Sequence, residues 1–278
     1  MANNSTDMVP VAVLVASCDA YSDIWPAFCA AFQRHWPDCP FPRYFVTNSK
    51  TAPSGFDTLS VGPDRSWSSN LLRAVPAIQA EYVLLSVEDL LLKENVVTSE
   101  VLETVQWGIE HQVDTLQMVT HELVWARGWG AGRSRCSAFP SNAPYRASTV
   151  FTLWRRETLL KVLRPAENAW QFEYFASDRL APDAKVYLSC ESHFRFVNAI
   201  FKGKLDPKAV RLCAANEYSL VTKRPTLSKK DLFVLAITRW RALAFRLVPM
   251  RHRRVARDFF SRRPTGSDPA PQDAERLP

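Results

Sequence analysis

The stretch EYVLLSVEDLLL, residues 81–92, decides how the rest of the chain reads. Its apolar run from Tyr82 to Val87 has the length and Val/Leu content of a strand buried on both faces. The run ends on two adjacent carboxylates, Glu88 and Asp89, and apolar residues resume at once. In open parallel sheets, ligands bind beyond the carboxyl ends of the strands, where the strand order reverses. Two acids at such an end either meet a ligand there or close a solvated turn.

Working outward, VAVLVASC (11–18) is a second buried-strand run, followed by Asp19. Asp23 is placed to cap a helix reaching to about residue 36, with Ile24, Phe28, Ala31 and Phe32 near helical spacing and Pro26 in the first turn. PDCPFP (37–42) breaks it. RYFVTN (43–48) and DTLSV (57–61) read as strands, and 67–80 as a helix with Leu71, Leu72, Val75 and Ile78 on one side. After the opening stretch come a helix over 98–111, a strand over 115–119, an irregular segment over 123–144, a strand over 145–154, a helix over 155–163, a helix over 165–180 and a strand over 184–190. Alternating strands and helices imply an α/β fold with a mainly parallel central sheet flanked by helices. Asp19 and the Glu88–Asp89 pair then share the ligand edge.

The chain has 278 residues, 47% of them hydrophobic, enough for one large domain and an appendage. The expected division is a disordered 1–9, a catalytic-sized domain over 10–222, a basic helical segment over 223–263 and a disordered tail over 264–278. The net charge of +7 is concentrated: residues 223–263 hold thirteen Lys and Arg against Asp231 and Asp258, so that segment carries +11 and the remainder −4. The six cysteines are scattered without zinc spacing and read as reduced thiols. No basic leader opens the chain and no apolar run reaches membrane-spanning length, so a cytoplasmic location is expected. Walker-type GxxxxGK[ST], GxGxxG and GxSxG sequences are absent, which removes support for P-loop, dinucleotide-binding and α/β-hydrolase readings.

Glu88 and Asp89 repel each other unless compensated; a divalent cation, Mg²⁺ or Mn²⁺, would do so together with substrate phosphates. The plainer alternative is a turn with Asp89 as a cap. A second acidic cluster, Glu167, Glu173 and Asp178, lies beside Trp170 and Phe172. A carboxylate next to aromatic surface suits a general base, since desolvation raises its pKa. A capped amphipathic helix with both rings in the core explains the same residues.

Several segments, in order, resemble a family of bacterial GT-A-type nucleotide-sugar glycosyltransferases assigned to cell-surface polysaccharide synthesis. They are SCDAYSDIWPAFCAAFQRHWPDCPFPRYFVTN (17–48), WSSNLLRAVPAIQAEYVLLSVEDLLL (67–92), YRASTVFTLWRRETLLKVLRPAENAWQFE (145–173) and FKGKL with KAVRLC (201–213). The family's W-R-x-E-x-L-L and E-x-x-W-x-F-E pieces are present; Leu205 stands where its G-K-W ending has Trp, and Val87-Glu88-Asp89 stands where its metal motif reads D-x-D. The match covers roughly the first three quarters of the chain. The resemblance implies a GT-A-like fold and a nucleotide-sugar donor. Asp19, Asn70, Arg73, Lys202 and Lys204 would lie near the nucleotide and diphosphate. Separately, the placement of the irregular segment over the strand ends would let Arg127, Arg133 and Arg135 meet phosphates. Asp89, Glu88 and His193 would hold the cation, Glu173 or Glu167 would be the base, and Trp170 and Phe172 would pack the acceptor or sugar. The acceptor class it implies is a glycan or lipid-linked glycan.

Within the basic segment, Leu232, Leu235, Ala236, Trp240, Leu243, Leu247 and Met250 form an apolar stripe, and Arg239, Arg246 and Arg253 another face. This pattern suits either an anionic membrane surface or packing against the main domain. Nucleic-acid binding through the arginines is a competing reading, but phosphate charge alone gives no sequence specificity, so no specific nucleic acid is expected.

Overall fold

Strands β1 (Val11–Ala16), β2 (Arg43–Thr47), β3 (Asp57–Ser60) and β4 (Tyr82–Val87) run parallel, with β1 hydrogen-bonded between β2 and β4. This is a computed structural model, and it describes residues 10–120, 135–141, 143 and 145–245. The expected tails (1–9 and 264–278), Arg127 and Arg133 of the irregular segment, and residues 246–263 lie outside the described residues.

The full sheet has the order β3-β2-β1-β4-β8-β6-β9-β7, where β6 is Thr115–Gln117, β7 Cys136–Ala138, β8 Thr152–Arg155 and β9 Val186–Ser189. Six strands share one direction. The other two, β8 and β7, run against their neighbours, so the sheet is mainly but not wholly parallel. Two smaller pairings complete the described strands: β5 (Leu90–Leu92) with β10 (Phe196–Asn198), and the hairpin of β11 (Ile200–Phe201) and β12 (Lys204–Leu205), which helix α6 (Pro207–Ala215) follows.

Alternation along β1 decides what covers each face. Val11, Val13 and Val15 pack beneath α1 (Trp25–His35) and α3 (Thr98–Glu110). Ala12, Leu14 and Ala16 face α2 (Trp67–Ala74), α4 (Arg156–Val162) and α5 (Ala169–Arg179). The first face is aromatic: Phe28, Phe32, Trp36, Phe45 and Phe56 make edge-on and tilted contacts with centroids 5.2–6.1 Å apart. Each such ring contributes about 1.5–3 kcal/mol by burial. With α1 on one face and α2 on the other, the order 3-2-1-4 reverses at β1, which opens the crevice between the ends of β1 and β4.

Three local expectations change. Asp23 does not cap α1: the cap position is Ile24, with no side-chain bond, and Asp23 is held by Arg224 instead. Helix α5 begins at Ala169 rather than 165, because Asn168 and Gln171 form a reciprocal capping box. The strand expected over 145–154 is confined to β8. Phe151 adopts a left-handed φ of 38° and stacks on Phe194 with ring centroids 4.3 Å apart, so the chain bends before the ladder begins. Cys18, Cys29, Cys39, Cys190 and Cys213 are in no disulfide, as expected of thiols.

Candidate active site at the carboxyl edge of the sheet

The loop after β1 is fixed to the loop after β2. The Asp19 carboxylate accepts from the Asn48 N–H (2.9 Å), the Ser49 N–H and hydroxyl (3.0 and 2.8 Å) and the Lys50 N–H (3.1 Å). Its own N–H donates to Asn48 Oδ1 at 2.9 Å. Burial alone would raise the Asp19 carboxyl, but these donors outweigh it and hold it below the usual aspartate value. Asp19 therefore clamps two loops of the edge, and its lone pairs are spent within the protein.

Asn70 and Arg73 act on the next loop. Asn70 Nδ2 donates to Asp64 (2.8 Å), while Arg73 donates to the carbonyls of Val61, Pro63 (2.9 Å) and Ser69 (3.3 Å) and to Asn70 Oδ1 (2.7 Å). Both were expected to reach a nucleotide; their described bonds shape the 61–64 loop. That loop carries Asp64 to Cys18, which faces Asp64 and Glu88. Burial first, then those two charges, push the Cys18 thiol up to about 12.

Glu88 is 7% exposed. Burial, then the neighbouring Asp89 charge, drive its carboxyl well above the usual range, with Arg224 acting in the opposite direction. Burial also pushes Asp89 up to about 6, against backbone N–H donors of its own residue and of Ile200. The Asp89 carbonyl accepts from the Ala199 N–H at 2.7 Å, so the acid is tied to the β10–β11 junction. Two crowded, destabilised carboxylates fit a hard divalent cation held jointly with substrate phosphates. Among the described residues, no group of three or more His, Cys, Asp or Glu is arranged to hold a metal.

His193 does not join them. It is buried, its Nε2 lies 3.0 Å from both the Thr104 and Ser189 hydroxyls, and the charges acting on it are Glu191 and Arg135. Burial depresses its pKa, as expected of a neutral, structural imidazole. Arg135 pairs with Glu103.

Glu173 is brought to the same edge from α5. Because the β8 ladder starts only at Thr152, the bend before it turns Ser148 and Thr149 toward α5. Glu173 Oε1 accepts from the Thr149 N–H (2.7 Å), the Thr149 hydroxyl (2.9 Å) and the Ser148 hydroxyl (3.3 Å). Burial raises the Glu173 carboxyl, with those three donors opposing. As β8 pairs with β4, residues 148–151 and the Glu88–Asp89 pair lie at the same end of adjacent strands. The two acidic sites therefore share one edge. A cavity of about 230 Å³, lined by Asp114, Thr158, Lys161 and Arg179 among others, lies at the opposite end of the sheet and includes none of these acids.

Other expected site residues are used elsewhere. Both oxygens of Glu167 are taken by a bidentate pair with Arg179 at 2.7 Å, so it is not free to act as a base. Phe172 is fully buried against Trp67 and Trp154 and cannot pack a sugar, whereas Trp170 is 74% exposed and can. Asp178 lies on the exposed side of α5. Lys202 and Gly203 form the two-residue turn of the β11–β12 hairpin, both with positive φ (49° and 74°), as primed hairpin turns require. Lys204 binds Asp231 at 3.0 Å.

The sequence reading missed Arg224. It was counted in the basic appendage, yet it pairs with Asp23 at 2.8 Å, donates to the Ala20 carbonyl at 2.7 Å and lies 4.5 Å from the centroid of the Tyr21 ring. It places a cation within electrostatic reach of Glu88. A +11 run gave no local signal for one arginine folding back on the first loop.

No family model matches the chain, and no curated protein does. Solved structures of S. aureus TarS 1–349 are similar: the complex with UDP at 12% identity and a TM-score of 0.46, over 77% of this chain and 67% of that one. The complex with UDP-GlcNAc aligns at 13% identity and 0.42 over 65% and 58%, and a further structure of the same segment at 12% and 0.43 over 65% and 60%. This chain thus spans about 60% of that further structure. Likenesses this distant assign neither a family nor an activity.

Proposed function

We propose that the chain is a nucleotide-sugar glycosyltransferase whose chemistry takes place at the β1–β4 edge. The observation that carries the reading is that two acidic sites share this edge: Glu88–Asp89 at the topological switch and Glu173, which reaches from α5 to the Ser148–Thr149 bend before the adjacent strand β8. The sequence resemblance to GT-A-type enzymes supports the same assignment. Glu88 and Asp89 would hold a divalent cation, which supplies positive charge for a leaving diphosphate.

In this reading Glu173 takes the proton of the acceptor hydroxyl as that oxygen attacks the anomeric carbon. Partial burial favours a proton-accepting carboxylate with a raised pKa, and the Thr149 and Ser148 donors fix its orientation through one oxygen. Asp19 and the Asn70–Arg73 pair keep the nucleotide-side loops in shape without spending their own charges on the ligand. Exposed Trp170 offers an apolar face for a sugar ring. The acceptor is read as a surface glycan or its lipid-linked precursor.

The test is a thermal-shift screen of nucleotides and nucleotide sugars with and without Mn²⁺, followed by an assay of donor hydrolysis and transfer. Stabilisation by one nucleotide with turnover supports the enzyme; ligand linkage makes the shift grow with concentration. Stabilisation with no turnover for any sugar would make the chain a sugar-nucleotide-binding protein. Neither stabilisation nor turnover would end the proposal.

A further inference from the structure

Helix α7 (Lys229–Phe245) starts from an anchored turn. The anchor is well built. Leu227 is buried, its N–H donates to the Leu205 carbonyl at 2.9 Å, and the Leu205 N–H donates to the Pro225 carbonyl at 2.9 Å. Asp231 accepts from Lys204, from the Ser228 N–H (2.8 Å) and from the Ser228 hydroxyl (2.7 Å).

Beyond that turn, residues 232–234, 236 and 237 are exposed. Leu232, Phe233, Val234 and Ile237 are 39%, 67%, 50% and 42% exposed. At about 100° per residue, Leu232, Ala236, Phe233, Ile237 and Val234 sweep a sector of about 200°, while Asp231 and Leu235 fall in the remaining arc. Over residues 231–237, more than half the circumference is therefore apolar and exposed. Of the stripe expected from sequence, Leu232 and Ala236 lie in this sector and Leu235 does not. Lys229 and Lys230 are exposed at its start.

We infer that α7 docks on an anionic lipid surface. Charge selects this occupant. The segment 223–263 carries thirteen basic residues against two acids, and an apolar helix face within a cationic segment matches the headgroup–acyl boundary of a negatively charged leaflet. Pairing with a second copy would bring two +11 segments together. A nucleic acid would meet the charge but leave the apolar sector in water. No helix among the described residues is long and apolar enough to cross a membrane, so the contact is a surface one.

The docking element also connects to the acidic edge. The hairpin that anchors α7 through Lys204 and Leu205 follows directly on Ala199, whose N–H binds the Asp89 carbonyl. A docked α7 would thus hold the Glu88–Asp89 edge near the lipid surface. The inference does not depend on glycosyl transfer.

The experiment is co-sedimentation of the full chain with vesicles of phosphatidylcholine alone or mixed with phosphatidylglycerol, at low and high salt, with light scattering for oligomeric state. The expected result is binding to the phosphatidylglycerol vesicles, weakened by salt and weakened about tenfold or more by Phe233→Asp with Ile237→Asp. Val234→Asp alone replaces the pair if the double variant melts early. No binding to the anionic vesicles overturns the inference, as does equal binding by the variants, which would leave charge alone responsible. A dimer that the substitutions convert to monomer would overturn it in favour of a second copy.

Discussion

Replacing Glu173 separates its structural duty from its chemical one. In Glu173→Ala, the Thr149 N–H and the Thr149 and Ser148 hydroxyls lose their acceptor at once, on residues only 5% and 7% exposed. At about 1 kcal/mol per bond, the expected loss is about 2–4 kcal/mol. Glu173→Gln keeps a carbonyl oxygen where Oε1 sits, so its stability should lie within about 1 kcal/mol of the parent. It has no proton-accepting carboxylate, and transfer should fall about 100- to 10,000-fold. The pH dependence adds an independent check. Burial raises the Glu173 carboxyl above the ordinary glutamate value of 4.5, so the folded state holds its proton longer than the unfolded state. Its contribution to stability is full below 4.5 and is lost as pH rises through the elevated folded value. The parent should therefore lose stability relative to Glu173→Gln over that rise, while its own transfer rate climbs as the base ionises. Denaturant melts of the three proteins at several pH values, with transfer assays alongside, read both effects. A folded Glu173→Gln with transfer within threefold of the parent would refute the base assignment. A Glu173→Gln as unstable as Glu173→Ala would refute the bonding account.

Asp19→Ala should cost about 1–3 kcal/mol in denaturant melts, because it strands the N–H groups of Asn48, Ser49 and Lys50. Asp19 is held below its ordinary value of 3.8, so its stabilisation is complete above that pH and is lost as pH falls through the depressed folded value; the variant should lack that acid-side component. Phe172→Ala should cost about 3–5 kcal/mol as a core cavity, whereas Trp170→Ala should change stability by less than about 0.5 kcal/mol and raise KM for the acceptor. Asp89→Asn should abolish the Mn²⁺-dependent part of the thermal shift given by a nucleotide sugar, measured against the same protein without metal. It should leave the shift without metal in place.

The strands that hold the site were legible because burial writes itself into short Val/Leu runs. Positions 11–18, 43–48 and 81–92 each announced a strand, and the acids ending two of those runs, Asp19 and Glu88–Asp89, marked the edge. Orientation was not legible: nothing in YRASTVFTLW says that β8 runs against β4. That reversal, with the bend at Phe151, is what delivers Thr149 to Glu173. Residue type also failed to separate Glu167 from Glu173, or Phe172 from Trp170, since each pair differs only in what the fold sets beside it. Arg179, twelve residues beyond Glu167, occupies one carboxylate, and Thr149, twenty-four before Glu173, orients the other.

Arg224 shows the limit most clearly, and it bears on the chemistry. A cation that belongs to the protein already lies within reach of Glu88, tied to Asp23 and stacked on Tyr21. It opposes the rise of the Glu88 carboxyl, which burial first and then the Asp89 charge still hold well above the usual range. Its guanidinium is committed to the first loop through Asp23 and the Ala20 carbonyl, so it fixes the wall of the crevice and leaves the acidic pair short of positive charge. An edge built this way is pre-shaped but electrostatically incomplete. In the proposed reading, a cation bound with a diphosphate would supply that missing charge to the Glu88–Asp89 pair.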